Sequence, residues 1–216
     1  MADSHAALAE QFDDVEQQHD AASLGMWLFL ATEVMFFGGL FASYTIFRSR
    51  YDLAFIEGSH HLNVTLGSIN TVILLASSFT MALAVRSAQL GRRRTLIVFL
   101  LATIVLGLAF LGIKLSGEYY RDWIEGTVPG LHWSYQSPRA PQVELFMCFY
   151  FFMTALHATH MIVGFGIMAV LIIMAARGQI SAERCNPVEM AGLYWHFVDI
   201  IWIFLFPLLY LVGGRY

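Results

Sequence analysis

Leu145-Phe-Met-Cys-Phe-Tyr-Phe-Phe-Met-Thr-Ala-Leu-His157-Ala-Thr-His160-Met-Ile-Val-Gly-Phe-Gly-Ile-Met-Ala-Val-Leu-Ile-Ile-Met-Ala-Ala176 contains no Asp, Glu, Lys or Arg. About 20 mostly apolar residues suffice for a helix to cross the hydrocarbon core, and this run exceeds that length, so its helix must tilt or protrude. Its residues are apolar on all sides, unlike the alternating segments of a membrane barrel. Without water for the backbone, a helix is the conformation left.

Four more stretches qualify. Leu24 to Phe47 stops at Arg48 and Arg50, and Ile69 to Val85 stops at Arg86. Thr95 to Leu115 and Ala191 to Val212 complete the set. The fold class is therefore all-α, an integral membrane bundle of five transmembrane helices. Composition agrees: 58% of the 216 residues are hydrophobic and 13% charged, about half the charged share of a soluble domain. Mean hydropathy is +0.62. The net charge of −4 is dispersed and indicates no nucleic-acid partner. Cys148 and Cys185 form no CxxC or Cys/His grouping, which argues against a disulfide framework or thiolate metal site.

Residues 1–22 form an acidic tail and 23–216 the membrane domain. The tail has no basic start, the opposite of a signal peptide. Two connections are long. Arg48 to Ser68 carries His60 and His61, which are expected to be solvated. Gly117 to Glu144 carries Pro129, Gly130, Pro138 and Pro141 and reads as turns. The arginines Arg86, Arg92, Arg93 and Arg94 crowd one short loop, which places the N-terminus inside and the C-terminus outside.

Ionisable residues within a bilayer need an explanation, since each costs roughly 2.5–3.5 kcal/mol on insertion scales. Glu33 lies mid-span and is expected to be neutral or hydrogen-bonded across the bundle, with His157 as the expected partner. Lys114 and Glu118 fall at the end of the third span. His157 and His160 are three apart on one face. Two histidines do not make a closed metal site, and hydrogen bonds to neighbouring helices are the simpler role. In the last span Trp195, His196, Asp199 and Trp202 share a broad face. His196 and Asp199 are spaced to form a carboxylate–imidazole pair, either a proton relay or a polar seam that fixes packing. Asn70 opens the second helix, followed by Thr71, Ser77, Ser78 and Thr80, small hydroxyl residues typical of membrane helix contacts. No complete catalytic site can be assembled, which points to an accessory subunit or a small transporter.

The stretch Glu189-Met-Ala-Gly-Leu-Tyr-Trp195-His196-Phe-Val-Asp199-Ile-Ile-Trp-Ile-Phe-Leu-Phe206 resembles the C-terminal signature of subunit III of the haem–copper respiratory oxidases. Gly25 to Gly38 with its buried Glu33, Asn70 to Ser78, Glu118-Tyr-Tyr120 and His157 to Gly164 are similar to further family segments in the same order. Many members have seven helices, and the likeness here is to the five-helix form, as in quinol oxidases. The resemblance implies an accessory subunit of a proton-pumping oxidase, itself without cofactor. Haem and copper would reside in subunit I, with subunit II also present and phospholipid bound. It implies a supporting role in stabilising subunit I, retaining lipid and aiding proton uptake. Glu33, His157, His160 and Glu189 would form one buried polar cluster, with His196 and Asp199 on the bundle seam. Arg177 and Trp195 would contact lipid. Other readings are an accessory subunit of a nitric-oxide reductase and an independent transporter. The expected site is a bacterial plasma membrane, and a respiratory supercomplex is a further expected partner.

Overall fold

The computed structural model describes residues 15–212, so most of the acidic tail lies outside the described residues. Its long helices are α1 (Val15–Arg50), α3 (Val64–Gln89), α4 (Arg93–Ile113), α6 (Ala140–Ala176) and α7 (Asn186–Tyr210). Five candidate spans result, as the apolar runs require. The elements between them are the short helix α2 (Asp52–Ser59), a π-helix over Lys114–Tyr119 and the short helix α5 (Tyr120–Glu125). An antiparallel hairpin pairs β1 (Thr127–Val128) with β2 (His132–Trp133), and a 3₁₀ turn covers Ala182–Arg184.

The spans run past their apolar limits. Helix α6 has 37 residues, roughly 55 Å at 1.5 Å per residue, well beyond the hydrocarbon thickness. The described part of helix α1, Val15–Arg50, is helical on both sides of residue 22. Helix α3 begins at Val64 rather than near Asn70. Asn63 caps it by accepting the backbone N–H groups of Thr65 (3.0 Å) and Leu66 (3.2 Å), two donors with no intrahelical partner. Asn70 is a full turn and more inside, and fully buried.

Helix α7 is the hub, with over half of its apolar window enclosed. It packs on α3, α6 and α1, while α3 and α4 form a tight pair joined through Gly91, whose φ of 67° favours glycine. Close approach at the hub depends on two more glycines. A Cβ on Gly164 would lie 2.7 Å from the Trp195 indole, and one on Gly107 would lie 2.6 Å from the Phe165 ring. Helix α1 is peripheral, with only 11% of its window buried.

The two long connections are more structured than turns. Helix α2 folds onto the bundle and drives Phe55 against Tyr44 and Phe146, with ring centroids 5.3 and 5.5 Å away. The Tyr135 hydroxyl donates to Glu57 at 2.7 Å, and Arg139 reaches the same carboxylate at 3.4 Å. His61 is not simply solvated. Its ring meets Tyr135 edge-on at 4.9 Å, and partial burial holds its imidazole below the usual range.

Candidate functional site

Among the described residues, three groups of polar side chains stand out inside the bundle, each set by helices that bring distant residues together. The first joins α1 to α6. His160 Nδ1 lies 2.9 Å from the Leu156 carbonyl, a contact that needs an N–H at Nδ1. Nε2 then faces Glu33 Oε2 at 3.2 Å. If the imidazole is neutral, Nε2 accepts a proton that only a protonated Glu33 can donate; if it is cationic, it donates to the carboxylate. In both cases one proton sits between the two residues. The pair lines a cleft of about 430 Å³ between α1, α6 and α7, walled by Met26, Phe29, Val163, Ile167 and Met190. Tyr194 closes one side and donates to the His160 carbonyl at 2.9 Å.

Glu33 therefore pairs with His160, not with His157 one turn earlier. His157 points the other way, into α4 and α7, between Phe110 and Trp202 at 5.6 and 5.3 Å. It is buried and makes no hydrogen bond among the described residues. Glu189 is also elsewhere. It starts α7, accepts from the Gln89 amide at 2.9 Å and receives the Cys185 thiol at 3.4 Å. The expected single cluster of four residues is thus three separate sites, because a one-turn step on α6 changes the helix that a side chain meets.

The second group ties α7 to α3 and α4. Trp195 Nε1 donates to Ser77 Oγ at 3.0 Å, Trp202 Nε1 to Thr71 Oγ1 at 3.1 Å, and Thr80 shares a hydrogen with Thr103 at 2.8 Å. His196 Nδ1 meets Ser78 Oγ at 2.7 Å, so the expected bond from His196 to Asp199 is not formed. Asp199 is buried beside Ser78, near enough to feel its hydroxyl, but among the described residues its oxygens make no hydrogen bond of good geometry. Trp195 is only 1% exposed, enclosed by Gly164, Phe165 and Gly107, so its ring is not offered to lipid. Arg177, by contrast, is exposed at the end of α6, close to Arg93, whose guanidinium donates to the Ala176 carbonyl.

The third group was visible in the sequence only as two separate charges at a helix end. Lys114 and Glu118 form an ion pair that is almost completely buried. Lys114 Nζ also donates to Tyr210 OH at 2.6 Å and to Tyr150 OH at 2.9 Å. Both tyrosines donate to the same oxygen, Glu118 Oε2, Tyr150 at 2.8 Å. The ammonium lies 4.4 Å from the centre of the Tyr150 ring, within reach of its π face. The spacing of four between opposite charges on one helix was the available signal. Among the described residues no three His, Cys, Asp or Glu side chains converge as metal ligands would.

The sequence pattern of the family described as cytochrome c oxidase subunit III matches residues 11–214. A quinol oxidase subunit 3 from Bacillus spizizenii is 30% identical over 191 residues, covering 88% of this chain and 86% of the relative. The cytochrome bo(3) ubiquinol oxidase subunit 3 of Pseudomonas aeruginosa is 30% identical over 220 aligned residues, covering 99% and 95%. A cytochrome c oxidase subunit 3 from Thermostichus vulcanus is 31% identical over 201 residues, covering 93% and 92%.

Proposed function

The chain belongs to the cytochrome c oxidase subunit III family, and from that premise we infer how it serves its complex. It is an accessory subunit of a haem–copper oxidase in a bacterial membrane, crossing that membrane several times and assembling with other oxidase subunits. The family match favours this reading over a nitric-oxide-reductase accessory subunit or an independent transporter.

Its own contribution is structural and proton-linked rather than redox. Oxygen reduction takes place at the haem and copper of subunit I, beside subunit II, in the plasma membrane. This chain stabilises subunit I during turnover. The observation that supports a scaffold is how its interior polar groups are used: Trp195, Trp202, Tyr194 and Glu33 each spend their hydrogen bonds on another helix of the same bundle. The proton held between Glu33 and His160, in a cleft open to the side, suits support of proton uptake. Arg177, with Arg93 nearby, suits an anionic lipid headgroup at the end of α6.

The test is purification in mild detergent through a tag on this chain, with a visible spectrum and mass identification of partners. Haem bands, a co-purifying polytopic subunit and oxygen consumption that decays faster once this chain is stripped are the expected result. A colourless chain without a haem partner would sink the reading, and transport by vesicles containing this chain alone would replace it.

A further inference from the structure

Lys114, Glu118 and Asp122 recur every fourth residue across the π-helix and α5, and all are buried. The ion pair satisfies only part of this stretch. Three donors converge on Glu118 Oε2, while Glu118 Oε1 has no hydrogen-bond partner among the described residues. Both oxygens of Asp122 share that condition. The Arg121 guanidinium stands 3.6 Å from both Asp122 and Glu125, too far for a hydrogen bond to either. It donates to the His61 carbonyl, and its buried Nε has no hydrogen-bond partner among the described residues.

A buried acceptor left without a donor costs about 1–3 kcal/mol, and more when charged. Here three carboxyl oxygens lie within one helical turn with no donor. Charge is also out of balance. Of the fully buried groups Lys114 is positive, whereas Glu118 and Asp122 are negative, which leaves one negative charge over. Arg121 and Glu125 are partly exposed and share their charge with solvent. The neighbours do not cancel it. Tyr119 on the same stretch, Tyr150 on α6 and Tyr210 on α7 are neutral donors already engaged. His157 on α6 lies within the field of Lys114 and makes no hydrogen bond among the described residues. His61, facing Arg121 and Glu125 from the loop side, is held below its usual range by burial and so adds no positive charge at neutral pH. Asp122 in turn lies within the field of both Lys114 and Glu118.

One added proton cancels the surplus charge, and together with a water between the carboxyls it supplies the donors that the three free oxygens lack. Two carboxylates close together in a medium of low dielectric resist ionising together. A buried water needs two or more polar partners, which the free oxygens provide. We propose that Glu118 and Asp122 share one proton through an internal water, forming a proton-binding site separate from the Glu33–His160 pair. Entry is from the loop side. Arg121, next to Asp122, lines an open recess of about 510 Å³ with His60, His61 and Asn63. Asp122 itself does not line this recess, so a proton arriving there must pass Arg121 to reach it and then, through the water, Glu118 Oε1, while Oε2 keeps its three donors. No electron moves. The π-helix fits this use, since single π-turns concentrate at functional sites.

The test is infrared spectroscopy of the purified complex carrying wild-type, D122N or E33Q chains, in H2O and D2O. The expected result is a carboxylic-acid C=O band, shifted by deuterium, present in wild type and E33Q and lost in D122N. Its persistence in D122N, or its absence from wild type, overturns the proposal. Should D122N fail to assemble, a density map of the wild-type complex that resolves waters decides instead. A water within hydrogen-bonding distance of Glu118 Oε1 and an Asp122 oxygen is expected; a dry gap between the two carboxyls overturns it.

Discussion

Removing the Lys114 ammonium and the Glu118 carboxylate one at a time should damage the protein far more than removing both. Lys114 is 3% exposed and Glu118 0%, so neither charge can turn to water when its partner is lost. Breaking one side of a buried pair typically costs about 3–5 kcal/mol. Lys114→Met leaves Glu118 Oε2 with two tyrosine hydroxyls and an uncancelled charge. Glu118→Leu leaves the ammonium on two phenol oxygens and a ring face. The double variant Lys114→Met/Glu118→Leu removes both charges and replaces them with apolar volume. What remains is two tyrosine hydroxyls short of an acceptor, about 1–3 kcal/mol in all if they bond to each other. The single costs therefore sum to about 6–10 kcal/mol, against a double cost several kcal/mol lower. The assay is an SDS titration of the detergent-solubilised complex, following the mole fraction at which this chain is released. A double variant as costly as the sum of the singles would show that the two charges are not partners, and the reasoning would fail.

Three further outcomes follow from the same geometry. Gly164→Ala pushes a methyl to 2.7 Å from the Trp195 ring and should cost about 1–3 kcal/mol, whereas Gly38→Ala, with nothing within 4 Å, should stay within about 0.5 kcal/mol in the same titration. Glu33→Gln can still hydrogen-bond His160 and should leave release unchanged, while Glu33→Ala should lower it by about 1–3 kcal/mol; equal effects would show that the bond contributes nothing. The loop end should loosen in acid. The Ser137 hydroxyl, with that of Tyr135 and then Arg139, holds the Glu57 carboxyl below its ordinary range. Such a group adds stability above its unfolded value and loses it as pH falls through the folded one. Burial holds His61 below its usual range as well, so it acts in the same direction. Protease cleavage within residues 51–64 should accelerate first as pH falls below the ordinary histidine range and again below the ordinary glutamate range, and Tyr135→Phe should weaken that pH dependence.

The five spans were legible because lipid imposes one rule on every residue of a crossing, and a single sequence displays it. The ends were not, since polar residues can continue a helix when something caps or pairs them. Asn63 caps α3 before its apolar run begins, and Lys114 with Glu118 carries the fourth helix through a point that each charge alone would have closed. Glu33 stands out in the sequence as a mid-span acid, yet periodicity could not separate His157 from His160 as its neighbour. The two differ by about 60° around α6, enough to send one toward α4 and the other toward α1. The spacing of His196 and Asp199 permits a bond that the structure does not make, because Ser78 on α3 engages the imidazole instead. Nothing in one helix announces what its neighbour presents.

The peripheral position of α1 has a consequence for the order of biosynthesis. Its polar anchors lie far ahead in the chain: Glu33 awaits a residue 127 positions later, and the Tyr44 hydroxyl awaits the Leu208 carbonyl 164 positions later. At roughly 5–20 residues per second, the ribosome needs on the order of 6–25 s to deliver His160 after Glu33. During that interval the first helix stands among lipids with an unmatched acid at its middle. The newborn chain is most exposed to surveillance proteases and chaperones then, and capture by α6 and α7 ends that exposure.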